Sequence, residues 1–500
     1  MKSLFYFLDQ KRFILPLFNV GPKRAEVGSL LYEWNGTKEI QVEVGIRRGF
    51  PHFQILGNVT QETKEARDRI RLAIEASSYD FPIETIIINV KPTHIQKKKV
   101  CLDLAVAVGI LQATDQIQIP DPNILYLGNL GLDGSLVGGK ELLPFLWQRE
   151  REENKILCVP TSLRFFPLPE GEYYFLSHLQ GLESIGKQKP EIRNQTFETN
   201  ESLFWEEVLL NPYQMKVFQG LLYAILGNHH SILLGSPGAG KTMLHRLLEP
   251  LLPPRNPSIS KLIGNWTTKG DFEIPTNKPP FRSPHHSTTE VGLIGGGLPY
   301  QPGEITKAEG GILFLDEALE FKDRILESLR MPMEDSYLEI TRMNEVTKIK
   351  TDFTLLLSSN PCPCGNYQSQ NHCHCSLQKI RLYLQKISGA FIDRITVFQT
   401  LFETSEDRNI RLEEIRLKQI VKERFRFRKE KTIPTGEPLS ILKQLEMGKD
   451  TKHLSLRKKK QIVSLARTIA DWNLSPRTKE VHIQEALDYT LGYQWIYSLG

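Results

Sequence analysis

The chain has 500 residues, of which 40% are hydrophobic and 24% are charged, and it carries a formal net charge of +5. This length is typical of two to four domains of roughly 100–200 residues each, and the composition excludes a fibrous or a disordered chain. The longest apolar run, Leu104–Leu111, is far shorter than the ~18 residues that a membrane-spanning helix needs, so we expect no membrane partner.

The N-terminal residues and the cysteines both indicate a reducing compartment. Asp9, Lys11 and Arg12 interrupt the apolar N-terminal stretch and no small-residue cleavage site follows, so the sequence predicts no secretory signal. The six cysteines are too few for a disulfide scaffold, and most of them fall between Cys362 and Cys375. We therefore expect a cytoplasmic protein.

The first third of the chain mixes strand-like and helical patterns. Strand-like runs begin at residues 40, 53 and 85 (IQVEV, FQILG and TIIINV), and helical patterns occupy 63–77 and 101–113. A polar stretch without periodicity then starts at Lys187. We predict a compact α+β domain over 1–186 and a linker over 187–204.

After this linker, apolar strand patterns alternate with helical ones. The buried-strand runs are SILLG, GILFLD and FTLLLSS, which begin at Ser231, Gly311 and Phe353. Apolar strands separated by helices are typical of a parallel sheet that helices cover on both faces. From about Ser405 the patterns are helical. We predict an α/β core over 205–405 and a C-terminal helical domain over 406–500.

The strongest motif is GSPGAGKT, which lies between the strand SILL and the helical run MLHRLLEPLL. Its glycines let backbone N–H groups converge on phosphates, and the helix that follows contributes its positive end. Lys241 would reach the β- and γ-phosphates, and the Thr242 hydroxyl would bind Mg²⁺. We predict that the whole loop binds ATP, through Gly235, Ser236, Pro237, Gly238, Ala239, Gly240, Lys241 and Thr242.

Polar side chains at later positions are candidates to complete the nucleotide site. Asp316, at the end of GILFLD, would hold Mg²⁺, and Glu317 would activate the attacking water as a general base. Asn360 ends the next strand and would orient water or sense the γ-phosphate, with a turn-capping role as the alternative. Arg394, in GAFIDRI, and Arg457, in HLSLRKKK, are further candidates, with a surface ion pair as the alternative for each.

Four clustered cysteines follow Asn360 directly in two C-x-C pairs: Cys362 with Cys364, and Cys373 with Cys375. Four thiolates suit tetrahedral zinc, although the C-x-C spacing is tighter than the usual C-x-x-C. The sequence leaves structural Zn²⁺ and reduced thiols in a Pro/Gly-rich loop open. A metal here would brace the hydrolysis site and would perform no chemistry itself.

Two basic segments are candidates for nucleic-acid binding. Residues 337–350 alternate like a β-hairpin on both sides of residues 343–345. The stretch VKERFRFRKEK lies within Arg408–Arg467, where 18 Lys and Arg residues stand against 7 Asp and Glu residues. Its alternation of Phe and Arg suits either single-strand stacking or an amphipathic helix with buried phenylalanines, and we favour the buried phenylalanines.

Several longer segments resemble the ComM/YifB family of magnesium-chelatase-like AAA+ ATPases. They are PFRSPHHSTTEVGLIGGG from Pro280, PGEITKAEGGILFLDE from Pro302, SSNPCPCG from Ser358, SGAFIDRI from Ser388 and LARTIADW from Leu465. The resemblance covers about residues 40–500. It implies a multidomain α/β protein with an N-terminal ribosomal-S5/Lon-like domain, an AAA+ P-loop core and a C-terminal helical lid. It also implies a homohexameric ring that drives branch migration of DNA during natural transformation.

The same resemblance implies a role for each candidate residue. Lys241 belongs to the phosphate loop, Thr242 and Asp316 to the magnesium site, Glu317 is the base, Asn360 the sensor, Arg394 the trans arginine finger and Arg457 the second sensor. Gln214 belongs to a pair near the adenine. The hairpin points into the pore of the ring, where Arg342 and Lys348 would contact DNA phosphates without sequence preference. The chain departs from the family pattern at Tyr213, at Glu309-Gly310 and at Gln461.

Two other functions stay open on the sequence alone. One is the ATPase subunit of a magnesium chelatase, although the N-terminal domain and the CPCG loop count against it. The other is a chaperone-like AAA+ remodeller of proteins. The Lon-like resemblance also raises a peptidase, but the corresponding stretch, Pro92–Ala107, holds Cys101 and no serine nucleophile, so we expect no peptidase activity.

Overall fold

A computed structural model describes residues 23–33, 36–56, 61–91, 101–119, 121–147, 149, 155–193, 205–254, 278–297, 301–342, 345–367, 373–402, 409–431, 437–447 and 451–494. The chain divides into two compact units between Gln195 and Thr196, a position inside the predicted linker. Residues 194–204 of that linker lie outside the described ranges. Within those ranges, no helix is long and apolar enough to cross a membrane.

The first unit is built on an eight-stranded mixed sheet with the order β10-β9-β8-β5-β1-β2-β4-β3, as far as the structure describes it. Its strands, with the separate pair β6–β7, are β1 (Lys23–Glu33), β2 (Gly36–Arg47), β3 (His52–Leu56), β4 (Thr85–Lys91), β5 (Ile124–Tyr126), β6 (Asn129–Leu130), β7 (Leu136–Val137), β8 (Ile156–Pro160), β9 (Gly171–Leu176) and β10 (Glu191–Arg193). Its helices are α1 (Gln61–Ala76), α2 (Asp103–Ala113) and α3 (Leu143–Trp147), with 3₁₀ turns at Lys140–Leu142, Thr161–Phe165 and Leu179–Ser184.

Helix α2 forms the centre of this unit because its sequence, DLAVAVGILQA, has no polar face. All of its residues except Gln112 are buried. Its one buried charge, Asp103, accepts a hydrogen bond of 2.5 Å from Nε of Arg69 on α1, as a buried carboxylate must. The predicted strands and helices of this region are confirmed. Strand β10 pairs with β9, so the unit continues past the predicted boundary at residue 186.

The second unit is built on a five-stranded parallel sheet with the order β13-β16-β19-β12-β20. Those strands are β12 (Ser231–Gly235), β13 (Phe281–Arg282), β16 (Ile312–Leu315), β19 (Thr354–Ser359) and β20 (Val397–Leu401). Three antiparallel pairs accompany the sheet: β11 (Glu207–Leu210) with β21 (Ile410–Glu413), β14 (Gly295–Gly296) with β15 (Gln301–Pro302), and β17 (Tyr337–Arg342) with β18 (Glu345–Lys350).

Helices flank this sheet on both sides. They are α4 (Pro212–Gly227), α5 (Lys241–Arg246), α6 (Glu290–Ile294), α7 (Glu304–Lys307), α8 (Asp323–Ser328), α9 (Arg330–Asp335), α10 (Leu377–Leu384), α11 (Gly389–Ile392), α12 (Glu414–Glu430), α13 (Glu437–Met447), α14 (Leu456–Trp472) and α15 (Glu480–Leu491), with 3₁₀ turns at Glu249–Leu251 and Ala318–Glu320. The predicted helical pattern after about residue 405 is confirmed over α12 to α15, whereas Ile410–Glu413 form strand β21.

Each face of the parallel sheet has its own apolar core, which explains the unbroken apolar runs in the sequence. Leu233 and Leu356 lie in one core with α4 and α14. Their neighbours Leu234 and Leu357 lie in the other core with α8 and α10. Every residue of β12, β16 and β19 is buried. The predicted parallel sheet covered by helices is therefore confirmed.

Parallel strands bring their carboxyl ends to one edge, where ligands of open α/β sheets bind. Strand β12 lies between β19 and β20, and β16 lies on the far side of β19. The residues that follow β12, β16 and β19 therefore meet at the same edge. The predicted phosphate loop, the two acids and Asn360 are those residues.

Candidate nucleotide site

The loop from Gly235 to Thr242 joins β12 to α5 with a backbone that requires glycine. Gly240 has a φ of +94°, a conformation that glycine adopts without a steric penalty. A Cβ atom on Gly235 would lie 2.2 Å from the carbonyl oxygen of Leu401, so a larger residue would force β12 and β20 apart. The glycines thus set the course of the loop between the strand and the helix.

Gln214 on helix α4 contacts the loop at Ala239. Asn211 caps α4 by accepting the N–H of Gln214, and the Gln214 side chain accepts the N–H of Asn211 in return. Nε2 of Gln214 also donates to the carbonyl oxygen of Ala239 at 2.9 Å. Tyr213, beside it, keeps 45% of its surface exposed.

Lys241 is buried inside the loop that carries it. Its ammonium donates to the carbonyl oxygens of Gly235 at 2.7 Å and Ser236 at 2.8 Å, and to Oδ1 of Asn360 at 3.2 Å. Burial lowers the pKa of Lys241 to about 8, and the nearby carboxylate of Asp316 opposes that shift. The structure therefore brings the predicted loop lysine and the predicted sensor asparagine into contact.

Thr242 and Asp316 form a pair of oxygen donors at the same edge. Oγ1 of Thr242 donates to Oδ2 of Asp316 at 2.7 Å. The other oxygen, Oδ1, accepts the N–H of Glu317 at 3.1 Å and the hydroxyl of Ser358. Hydroxyl and carboxylate oxygens are ligands that Mg²⁺ prefers, so these side chains fit the predicted magnesium site.

Glu317 has a left-handed backbone, with a φ of +53°. A residue other than glycine in this region costs roughly 1–3 kcal/mol, and such residues cluster at functional sites. Oε2 of Glu317 lies 3.4 Å from Nδ1 of His286, and the carboxylate remains largely exposed. The strained turn thus directs the carboxylate away from the apolar strand that precedes it.

His286 and Ser358 were not predicted as site residues. His286 follows β13 in the segment PFRSPHHS, where a pair of histidines was the available signal. Ser358 lies in β19, and its contact with Asp316 follows from the register in which Leu315 pairs with Leu357. The motif SSN, in which Ser358 stands two residues before the predicted sensor Asn360, was the signal in the sequence.

The two predicted arginines lie at the opposite edge of the sheet. Val397, the first residue of β20, pairs with Ser231, the first residue of β12, so Arg394 precedes the strands and Lys241 follows them. At about 3.3 Å per residue, a five-residue strand separates the two edges by roughly 13 Å. Arg394 and Arg457 therefore do not join the cluster around Lys241 in the same chain.

Glu334 on α9 binds both of these arginines. One carboxylate oxygen accepts a hydrogen bond of 2.5 Å from Nη2 of Arg394, and the other oxygen accepts a hydrogen bond from Nη2 of Arg457. Asp393 also accepts Nη1 of Arg457 at 3.3 Å, and its carbonyl oxygen accepts Nε2 of Gln461 at 2.9 Å. Glu334 was not predicted, because no motif marks it.

The predicted hairpin is confirmed as the antiparallel pair β17–β18, whereas its tip at residues 343 and 344 lies outside the described ranges. Lys348 on β18 is exposed, pairs with Glu339 at 3.2 Å and lies 4.5 Å from the ring centroid of Tyr337. Arg342 pairs with Glu345 through the backbone, and its side chain lies outside the described part of the chain.

Residues 421–430 of the basic and aromatic stretch form the second half of α12, and Lys431 follows the end of the helix. Phe425 packs against the apolar core, as the favoured interpretation predicts. Arg428 and Lys431 each donate to the buried carboxylate of Asp471 on α14 at 2.8 Å. Both cations are therefore paired with a carboxylate of the protein itself.

The four clustered cysteines also converge. The Sγ atoms of Cys362, Cys364, Cys373 and Cys375 all lie within 4.8 Å of one another.

Cys101 and Cys158 are free thiols in the first unit. Burial raises the pKa of Cys101 to about 12, which suits a core residue and no nucleophile.

Three families match successive parts of the chain. Residues 42–162 match the family described as subunit ChlI of Mg-chelatase, 213–408 match magnesium chelatase, subunit ChlI, and 436–490 match the C-terminal part of that subunit. An uncharacterized protein YifB from Salmonella typhimurium is 30% identical over 478 residues, which cover 90% of this chain and 94% of that protein. The competence protein ComM from Haemophilus influenzae is 28% identical over 493 residues with the same coverage.

Proposed function

The chain belongs to the ComM/YifB family of magnesium-chelatase-like AAA+ proteins, and from this premise we propose that it is a magnesium-dependent ATPase. The observation that carries the proposal is the meeting of Lys241, Asp316 and Asn360 at the carboxyl edge of one parallel sheet. A glycine-rich loop, a lysine and a strand-end acid are the groups that cradle a triphosphate.

In this proposal, the buried ammonium of Lys241 exchanges its contacts with loop carbonyls for oxygens of the β- and γ-phosphates. Gln214 fixes the loop at Ala239 while this exchange takes place. Mg²⁺, held by Thr242 and Asp316, would neutralise charge on the same phosphates. The loop, the lysine and the hydroxyl–carboxylate pair therefore bind the substrate as one unit.

Hydrolysis requires a base and an oriented water. Water attacks the γ-phosphorus, the bond from that phosphorus to the bridging oxygen of ADP breaks, and the proton of the water passes to Glu317. His286 lies close enough to hold the Glu317 carboxylate until nucleotide is bound. Asn360, fixed by Lys241, orients the water or contacts the γ-phosphate.

Arg394 and Arg457 act on the nucleotide of a neighbouring copy in this proposal. Their position at the opposite edge from Lys241 supports a trans role, because neither can join that cluster within its own chain. The contact with Glu334 would then give way when two copies assemble. We propose a homohexameric ring, with an arginine finger from each copy completing the site of the next.

We further propose that the ring moves DNA in the cytoplasm, as a branch-migration motor in recombination or natural transformation. A relative named competence protein supports this role, as do exposed Lys348 on the β17–β18 hairpin and exposed cations of α12 such as Arg416 and Lys422. The first unit would form a ribosomal-S5/Lon-like domain without peptidase activity, and helices α12 to α15 would form a lid.

The test is the rate of phosphate release with single-stranded, duplex and forked DNA at several salt concentrations. We expect DNA to stimulate turnover, and the stimulation to fall as salt rises. Lys348→Ala should reduce the salt dependence of DNA binding by about one unit of slope, whereas the exposed control Lys189→Ala should not. Turnover that no DNA structure changes would contradict the motor proposal.

A second candidate is the ATPase subunit of a chelatase that inserts magnesium into a porphyrin. The observation that favours it is that each matched family is described as a subunit of magnesium chelatase. Stimulation of turnover by the partner subunits of a chelatase, in place of DNA, would select this function. Stimulation by unfolded protein alone would select a remodeller of proteins.

A further inference from the structure

The loop after β19 folds so that its first two thiols face one point. The N–H of Gly365 donates to the carbonyl oxygen of Cys362 at 2.9 Å, which closes a tight turn around Cys364. Gly365 has a φ of +80°, which a larger residue would adopt only under strain. This turn explains how a C-x-C spacing can present both sulfurs to a single ligand.

The second pair of thiols comes from the residues before α10 and completes a compact group. The Sγ atom of Cys373 lies 3.7 Å from that of Cys362 and 3.5 Å from that of Cys364, and the first two sulfurs lie 3.3 Å apart. Cys375 joins them, since all four sulfurs lie within 4.8 Å of one another.

These separations fit four ligands around one ion. A zinc–sulfur bond of about 2.3 Å places the corners of a regular tetrahedron about 3.8 Å apart. We propose that Cys362, Cys364, Cys373 and Cys375 bind one structural Zn²⁺ ion as thiolates. Four protein ligands leave no open position, so the ion would link the end of β19 to the start of α10 and perform no catalysis.

Other states of these thiols fit the structure less well. A disulfide needs sulfurs about 2.05 Å apart, whereas those of Cys362 and Cys364 lie 3.3 Å apart and all four cysteines are free. The ligands of an iron–sulfur cluster surround several iron atoms and so stand farther apart than ligands of a single ion. Four thiols without a ligand would gain no strong stabilising interaction from meeting at one point.

The proposed zinc site lies against the nucleotide loop. A Cβ atom on Gly365 would lie 2.6 Å from Cγ of Pro237 in the phosphate loop and 3.8 Å from Cγ of Asn360. Asn360, in turn, contacts the ammonium of Lys241. Cys362 is fully buried in the apolar core that also contains Leu234 and Leu357. Loss of the ion should therefore disorder the turn at Gly365, which packs against Pro237 and Asn360.

The primary experiment measures metal in the full-length protein without any nucleotide. Elemental analysis of protein purified without added metal should find about one zinc ion per chain. A mercurial reagent should release this zinc in parallel with titration of four thiols, as read with a chromogenic zinc chelator. Protein refolded with Co²⁺ should show the intense thiolate-to-cobalt absorption of a tetrahedral sulfur site.

Cys364→Ser separates a ligand from an ordinary thiol, because Cys364 is exposed and its replacement removes no core contact. We expect the variant to bind zinc far more weakly, by more than the roughly 10–100-fold that loss of a group supporting a ligand causes. Cys375→Ser should behave in the same way. The control Cys101→Ser, outside the cluster, should keep the full zinc content.

Three outcomes would overturn the proposal. They are protein without zinc that also fails to take it up, an equivalent of iron in place of zinc, and a Cys364→Ser variant with the zinc content of the unchanged chain. Since these measurements use no ATP, they stand apart from the proposed ATPase. If zinc is present, its removal should lower nucleotide affinity, and an unchanged affinity would overturn the proposed bracing of Pro237.

Discussion

Lys241 lies in surroundings that make its charge depend on pH within an ordinary working range. Burial lowers the pKa of its ammonium to about 8 in the free protein, whereas phosphate oxygens in contact with it would raise that pKa again. Above pH 8, ATP binding must therefore take up a proton. Below pH 8, the ammonium is already charged and no uptake is needed.

We predict that affinity for ATP is constant below about pH 7.5 and falls by up to about tenfold per pH unit above pH 8.5. Titration calorimetry with ATP and Mg²⁺ between pH 7 and pH 9.5 measures this directly. In Lys241→Ala, the affinity should be low and should no longer follow this profile. A flat affinity for the unchanged chain over the whole range would contradict the prediction.

The second residue-scale prediction concerns Glu317. Glu317→Gln keeps the size of the side chain but removes the group that accepts the proton, so turnover should fall by about 10²–10⁴-fold. Nucleotide affinity should remain, because the loop and Lys241 are unchanged. Phosphate release and binding of a fluorescent ATP analogue measure the two effects. Normal turnover in the variant would remove Glu317 from the role of base.

The sequence predicts the residues of this site better than their contacts. Gly235 to Thr242 carry a motif whose spacing is fixed by the shape of a triphosphate, so the motif is visible without a fold. Ser358 and His286 reach the two acids only because β19 and β13 lie beside β16. Contacts of that kind depend on strand order, which no local pattern encodes.

At the scale of elements, one carboxylate joins α12 to α14. Asp471 is buried and accepts hydrogen bonds from both Arg428 and Lys431 at 2.8 Å. Asp471→Asn would leave two cations without a counter-charge, so we expect a loss of about 3 kcal/mol from the free energy of unfolding. Urea unfolding of the full chain measures it.

The matched control for this change is Asp488→Asn on α15, because Asp488 is exposed and its replacement should alter the free energy of unfolding by less than about 0.5 kcal/mol. If Asp471→Asn were as mild as this control, the ion pairs between α12 and α14 would contribute little to stability.

Elements differ in how far the sequence determines them. The apolar runs of β12, β16 and β19 are buried on both faces and therefore stand out in the sequence. Strand β13, with two residues, and strand β10, in a polar stretch, have no such pattern. They become strands only because a neighbouring edge offers hydrogen bonds, which is information from the tertiary structure.

At the scale of the whole molecule, the separation of Arg394 from Lys241 predicts the behaviour of mixtures. Arg394→Ala should lower turnover by about 10³–10⁵-fold, as loss of an arginine finger does, and Lys241→Ala should be inactive because it binds ATP only weakly. Mixing the two inactive variants should restore part of the activity, because an intact loop can then meet an intact arginine from its neighbour.

The control is a mixture of Lys241→Ala with a double variant that carries both changes, in which no site can be complete. Phosphate release and the mass of the assemblies, measured on the same samples, separate failed catalysis from failed assembly. Mixed assemblies that form but stay inactive would argue that Arg394 serves its own chain, or that it only supports the fold through Glu334.

The antiparallel pair β11–β21 connects the start of α12 to the phosphate loop without involving the central sheet of the second unit. The carboxylate of Glu414, the first residue of α12, accepts the N–H of Trp205 at 2.7 Å, just ahead of β11. Gln214, which follows the other end of β11 in the chain, donates a hydrogen bond to the carbonyl oxygen of Ala239 in the phosphate loop. A shift of the first turn of α12 would thus pull on the strand that leads to Gln214. In the proposed ATPase, the β11–β21 pair would therefore transmit a movement of the C-terminal helices to the bound nucleotide.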